Sequence, residues 1–272
     1  MAVSERTLPD YERPPVVETY LGVQFAPLAQ FAIPHFGLFW TKVRENYPDF
    51  QVQPPLGPVI ERFEAGQFVQ PKLGVEVVRV PEARCWFIEK SGAMLTQVQR
   101  DRFIHNWRKL KPEDAYVHYD RIKPRFTEEW KNFCAFLDET GLGRPEVNQC
   151  EMTYVNHIEL GRGWKSYGEL NKVIASWSGT SSGKFLPAPE SVNISARYVL
   201  PDKKGRLHIE MQPAITRDAK EILQLNLTAR GMPESSNLES ILAWFDLGHE
   251  WIVQGFTDFT AKEMHNFWGR KL

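Results

Sequence analysis

The sequence predicts an α+β protein, with one antiparallel β-sheet covered on one face by long helices and arranged as two pseudo-equivalent halves. Three observations predict it. Several segments alternate apolar and polar residues, as half-buried strands do; others carry apolar residues three and four positions apart, as amphipathic helices do; and the later strand-like segments are joined by short polar connections. Elements that each bury one side pack as two layers around a shared core.

The opening residues are polar and end in Pro14-Pro15, the composition of a frayed lead-in. VVETYLGVQF then places Val17, Thr19, Leu21, Val23 and Phe25 on one side of a strand. Phe36, Phe39, Trp40 and Val43 return at helical spacing, and Pro48 closes that helix at Tyr47. QPPLGP, from Gln53 to Pro58, is a loop. A strand pair follows, EVVRV and CWFIEK, the second joined through Ser91-Gly92 to a long run from Met94.

In that run Leu95, Gln97, Gln99, Asp101, Phe103, His105 and Trp107 alternate with Thr96, Val98, Arg100, Arg102, Ile104 and Asn106. Its ends are apolar and its middle is polar on both sides. It therefore either crosses the sheet as one strand that projects past the edge, or breaks near Gln99–Asp101. Pro124 then suits a first helical turn, and Phe126, Trp130, Phe133 and Leu137 continue the helical spacing until Gly141 ends it.

The second half repeats this grammar. CEMTYVNHIEL is a strand, Tyr167, Leu170, Val173 and Ile174 mark a short helix, and Trp177–Pro189 is a Gly/Ser/Pro-rich loop. Three alternating strands run Ser191–Leu200, Arg206–Ile215 and Glu221–Arg230, connected by Asp202–Gly205 and Thr216–Ala219. Ser236 and Glu239 read as a capping box, behind which Leu238, Ile241, Leu242, Phe245, Ile252, Phe256 and Phe259 form an apolar stripe. About 22 residues at ~1.5 Å each give roughly 33 Å, enough to cross a sheet. Thr260 and Glu263 read as a second capping box before a short helix to Trp268.

The halves are residues 1–145, with the grammar β-α-β-β-α, and 146–272, with β-α-β-β-β-α, sharing one core. Phe103-Ile104-His105-Asn106-Trp107 and Tyr154-Val155-Asn156-His157-Ile158 echo each other, a hint of internal duplication. The grammar is helix-grip-like or TBP-like, an analogy at the level of fold alone.

Composition excludes some functions. Thirty-three basic against 34 acidic residues give a net charge of −1, so no global field gathers a polyanion. Nucleic acid is disfavoured, with Arg100, Arg102, Arg108, Lys109 and Lys111 as the local patch that would contact phosphates. Cys85, Cys134 and Cys150 have no CxxC spacing and suit a reduced, cytoplasmic chain. The start lacks a signal-peptide pattern and no long apolar run occurs, so no membrane partner is expected.

The motif search returns little chemistry. SGTSSGKF fails as a phosphate-binding loop, because its glycines are too close and Phe185 follows Lys184. The histidines show no metal-ligand spacing, no GxSxG occurs, and Cys134 lies among apolar neighbours. No catalytic residue, metal ligand or cofactor is therefore assigned. The polar residues that stand out are Asp101, Arg102, His105, Asn106, Asn156 and His157, candidate ligand contacts or a network that fixes strand register.

PPVVETYLGVQFAPL, GLFWTKVRENYPDF, MLTQVQRDRFIHNWRKL, CEMTYVNHIEL and LESILAWFDLGHEWIVQGFTDFTAKEMHNFWG together resemble a sporadically distributed family of uncharacterised bacterial proteins of about this length. The resemblance spans nearly the whole chain. It implies a recurring fold and no assigned reaction or site, and patchy distribution suits defence or toxin–antitoxin genes. The reading is a non-catalytic intracellular accessory protein that binds another protein, with a homodimer allowed. One alternative is small-ligand binding in a sheet–helix cavity, through Arg102, His105 and Asn156. The other is nucleic-acid binding through the Arg100–Lys111 surface.

Overall fold

The computed structural model describes residues 7–63, 83–178 and 185–271. In chain order they form β1 (Asp10–Tyr11), β2 (Val16–Phe25), α1 (Ile33–Val43), β3 (Asp49–Gln53), β4 (Arg84–Ile88), β5 (Met94–Gln99), β6 (Arg102–Arg108) and α2 (Tyr119–Glu139). Then come β7 (Val147–Glu159), a 3-10 segment at Tyr167–Lys172, β8 (Ile194–Val199), β9 (Arg206–Ile215), β10 (Glu221–Gly231), α3 (Leu238–Phe259), α4 (Lys262–Phe267) and β11 (Arg270–Lys271). One nine-stranded sheet has the order β3-β4-β5-β6-β2-β7-β10-β9-β8, with every neighbouring pair antiparallel, and β1 pairs with β11 apart from it. The α+β class and the large antiparallel sheet thus stand.

Register explains why the helices lie on one face. Directly opposed residues share a face, so the pairs Leu21–His105, Val23–Phe103, Leu21–Met152, Leu227–Tyr154 and Leu227–Ile209 define a single apolar surface. Onto it α2 lays Phe126, Trp130 and Phe133, and α3 lays Phe245 and Ile252. Phe103 packs against Phe126, Trp130 and Phe133 with ring centroids 5.9, 5.4 and 5.2 Å apart. Phe39 of α1 reaches both Phe87 of β4 and Phe133 of α2. The other face carries Gln24, Gln97, Gln99, Asn106, Gln149, Glu151 and Arg230, and we call it the open face.

Several expectations need correction. Of the two readings of the run from Met94, the break near Gln99–Asp101 holds and the single strand does not: the run is a hairpin, turning at Arg100-Asp101 with Gln99 opposite Arg102. Because that turn brings residues of unlike parity together, Thr96 and Val98 share a face with Phe103 and His105, and neither alternating set stays on one side. Val16, not Val17, is buried, since a β-bulge between Val16 and Glu18 shifts the register of β2. The lead-in is tied down at Tyr11, whose ring packs on Phe256, His265 and Trp268.

Among the described residues four strands lie between α1 and α2: the exposed segment Asp49–Gln53 pairs at the sheet edge with β4, and the Met94 run supplies two strands. The helix containing Pro124 begins a turn earlier, at Tyr119, so that proline lies inside it. The segment Tyr167–Lys172 is 3-10 rather than α. EVVRV lies outside the described residues, as do the Gly179–Lys184 residues of the Gly/Ser-rich loop.

Both predicted capping boxes are replaced by other bonds. Asn237 caps α3 by accepting from the Ser240 backbone N–H at 2.8 Å, while the Ser236 hydroxyl donates to the Val147 carbonyl. Ala261 precedes α4, and the Thr260 hydroxyl bonds the Phe256 carbonyl and lies 2.9 Å from His265 Nε2. Asn237→Ala removes the partner of an otherwise unsatisfied donor. We expect it to lower stability by about 1 kcal/mol, measured by urea unfolding, with Ser236→Ala costing less.

Candidate functional site

Near the β2 bulge the sheet and α3 enclose a cavity of about 320 Å³, within the roughly 300–1,000 Å³ range of small-molecule sites. Val16, Leu227, Ile252 and Phe256 supply apolar wall, and Leu8, Pro9, Asp10, Tyr11 and Pro14 line it as well. The polar groups come from distant parts of the chain: Tyr116 and His118 before α2, Tyr119 at its start, Tyr154 and Asn156 on β7, and His249 on α3.

These side chains are already ordered against one another. His249 stacks on Tyr119 with centroids 4.2 Å apart, and its Nδ1 is 2.9 Å from the Tyr154 hydroxyl. The Tyr119 hydroxyl donates to Asp246 at 2.8 Å, and Lys123 holds the same carboxylate at 2.7 Å. Asn156 donates to the Leu225 carbonyl at 3.0 Å. Its own side-chain oxygen has no partner, although Asn156 is only 1% exposed.

Electrostatically, much of this wall stays neutral at physiological pH. Burial outweighs the attraction of Asp246 and Asp120 and pulls His249 down to about 4, so its imidazole is uncharged. Burial pushes Tyr116 up to about 12, despite hydrogen bonds that favour its anion, and raises Tyr154 further. The arrangement offers hydroxyls, an imidazole and an amide oxygen to a ligand. Lys271 bonds the lining residue Asp10 at 2.6 Å and lowers its pKa. No match was found to a protein-family model, a curated protein or a solved structure.

The structure divides the candidate residues among four places. Only Asn156 lines the cavity. His105 points to the helix face, fully buried, with Nδ1 3.2 Å from the Thr96 hydroxyl; burial, aided by Arg125, pulls its pKa down to about 3. Its Nε2 has no partner. Asp101 sits in the β5–β6 turn and accepts from the Gln99 amide at 2.8 Å.

Arg102 and Asn106 lie on the open face. Arg102 donates to Gln24 at 2.6 Å and to the Gly57 carbonyl at 2.9 Å. Asn106 donates to Glu18 at 2.7 Å and accepts from Gln97 at 2.7 Å, while Gln97 also takes bonds from Trp86 and Arg84. Burial raises the Glu18 carboxyl pKa against the pull of Asn106 and Arg108. His157 is also on the open face, half-buried, with its pKa lowered by burial against the attraction of Glu159. His105 and Asn106 are consecutive and so point to opposite sides of one strand.

Of the basic patch, Arg108 donates to the Gly92 carbonyl at 2.8 Å and lies over the Trp86 ring, and Arg102 is occupied as above. Lys111 is exposed, Lys109 follows β6, and Arg100 is in the turn. Burial pushes the Cys85 and Cys134 thiols up to about 11, so neither is a thiolate at neutral pH. Among the described residues no cluster of three or more His, Cys, Asp and Glu is placed to hold a metal, and no helix is long and apolar enough to cross a membrane.

None of Tyr116, His118, Tyr119, Tyr154 and His249 stands among the site residues named from the sequence. The legible signal was AYVHYD, a short run with two tyrosines and a histidine where a helix begins.

Proposed function

We propose that this is a non-catalytic binding protein that captures a small, mostly apolar ligand with hydrogen-bonding groups in the cavity between sheet and α3. The observation that carries this reading is the cavity of about 320 Å³, lined by Tyr116, Tyr154, Asn156 and His249; the side-chain oxygen of Asn156 is itself buried and unpartnered. An unsatisfied buried acceptor costs about 1–3 kcal/mol, and a ligand N–H or O–H would relieve that cost. The neutral state of His249 and Tyr154 supports binding over acid–base chemistry.

Strand order supports reading the chain as two equivalent halves. Each starts on a central strand, β2 or β7, moves to a sheet edge at β3 or β8, returns strand by strand, and ends in a long helix, α2 or α3. The cavity under α3 supports the helix-grip analogy. A cytoplasmic setting fits the unpaired cysteines, and the resemblance to the bacterial family stays with this reading as a proposal.

A thermal-shift screen tests the ligand site. At a free concentration 100 times Kd, a ligand adds about 2.7 kcal/mol, or roughly 5 °C in Tm for a chain of this size. We expect such a compound to shift the wild type but not Val253→Phe, which fills the cavity from α3. A library that leaves the wild type unmoved, or moves both proteins equally, would overturn the proposal.

A further inference from the structure

The open face is already occupied, and by the chain itself. After β3 the chain does not return to the sheet edge but crosses six strands. The Leu56 N–H donates to Gln99 of β5 at 2.8 Å and its carbonyl accepts from the same amide at 2.9 Å. The Gly57 carbonyl accepts from Arg102 of β6. The Val59 N–H donates to Gln24 of β2 at 3.1 Å, and its carbonyl accepts from Gln149 of β7. The Glu61 N–H donates back to Gln149 at 2.8 Å.

Beyond that point the grip becomes ionic. Glu61 is held by Arg206 and His208 of β9, each at 2.5 Å, with Arg230 of β10 at 3.6 Å. Burial acts against its charge, but the bonds from His208 and Arg206 prevail and keep the carboxyl at about 2. Arg206 also donates to the Arg62 carbonyl at 2.8 Å.

The dimensions agree with a fully extended crossing. Strands β5, β6, β2, β7, β10 and β9 are consecutive in the sheet, so five steps of about 4.8 Å span roughly 24 Å. Six residue steps from Leu56 to Arg62 reach about 20 Å when extended, and the side chains of the sheet bridge the rest. The glutamines beneath are almost fully buried, whereas Val59 and Ile60 above are 42% and 48% exposed. The sheet therefore reads main-chain amides through Gln24, Gln99 and Gln149, and two side chains, the carboxylate of Glu61 and the ring of Phe63, over which the Arg206 guanidinium lies at 4.1 Å.

We propose that the open face is a docking site for an extended acidic peptide of a partner protein, and that residues 56–62 occupy and mask it in cis. A recognition surface that ignores the side chains of Val59 and Ile60 accepts any extended segment that brings a carboxylate to Arg206, His208 and Arg230. The resident segment is held with little apolar burial, which makes it exchangeable. This inference concerns the face opposite the cavity and stands independently of it.

The test uses a fluorescein-labelled synthetic peptide spanning Gln53 to Phe63, read by anisotropy against the full-length chain. In one receptor, residues 55–62 are replaced by a Gly/Ser segment of equal length. We expect this receptor to bind the peptide, and the wild type to bind it at least about tenfold more weakly, because its own segment competes at a millimolar effective concentration. In the peptide, Glu61→Ala should weaken binding by about tenfold or more, since it takes the carboxylate from the half-buried Arg206 and His208, while Arg230 keeps Glu151; Val59→Ser with Ile60→Ser should change it little. Gln149→Ala in the receptor should weaken binding as well. If the Gly/Ser receptor does not fold by circular dichroism, full-length Glu61→Ala, with its anchor removed, takes its place. Absence of binding to a folded receptor at millimolar peptide would overturn the proposal. So would binding that depends on Val59 and Ile60 but not on Glu61.

Discussion

Phe133→Ala is expected to lower stability by about 3–5 kcal/mol and Tm by roughly 10 °C. Phe133 is fully buried where three helix-face layers meet. Its ring lies 6.3 Å from Phe25 and Phe31, 5.5 Å from Phe39, 5.2 Å from Phe103 and 6.0 Å from Trp130. Truncation removes one ring from five neighbours on β2, α1, β6, α2 and the loop before α1, and these elements cannot all close the void together. Phe50→Ala is the control: at 54% exposure, with Trp40 as its ring partner, it should cost under about 1 kcal/mol. Comparable losses in the two variants would contradict the packing described here.

The second large effect is with pH. Burial holds His105 at about 3 and His249 at about 4, against an ordinary value of 6.5. The folded state therefore refuses protons that the unfolded chain accepts. Their contribution is fully present above about pH 6.5 and is lost as pH falls through that value towards 4 and 3. Each histidine contributes up to about 1.4 kcal/mol per pH unit in that window, less for His249, which faces the cavity. Urea unfolding should show stability falling by roughly 2 kcal/mol per unit between pH 6 and 4. His105→Gln, which can keep the bond to Thr96, should remove about half of that slope. An unchanged slope in His105→Gln would mean that His105 is not a buried neutral group.

How much of this was legible in the sequence follows from the range of the interactions. The stripe from Leu238 to Phe259 reports its own helix, because the period and the contacts it serves lie within a few turns. The strands β9 and β10 were equally readable, since alternation and short turns are local. The polar stretch was legible as strand with a break near Gln99–Asp101 as one reading, but not the change of face: the turn at Arg100-Asp101 exchanges the two alternating sets between faces, and no local period records that exchange. β3 escaped because its apolar residues, Phe50 and Val52, are exposed at the sheet edge.

The site was the least visible part. The cavity joins Tyr116, Tyr154, Asn156 and His249 from three separate parts of the chain, brought together where α3 packs on β7 and His249 meets the Tyr154 hydroxyl. On the open face, QPPLGP was rightly read as loop. Its partners Gln24, Gln99 and Gln149 are scattered over more than a hundred residues, yet buried glutamines at the ends of strands were a signal in themselves. A buried amide needs a partner, and the bulk of these partners turned out to be backbone groups.

The ligand cavity is tested most directly by native mass spectrometry of the full-length protein, purified without denaturant. We expect a population heavier than the chain by the mass of one small molecule, released on acid denaturation and absent from Val253→Phe. A wild-type spectrum containing the bare chain alone, from a protein that no library compound stabilises, would contradict it.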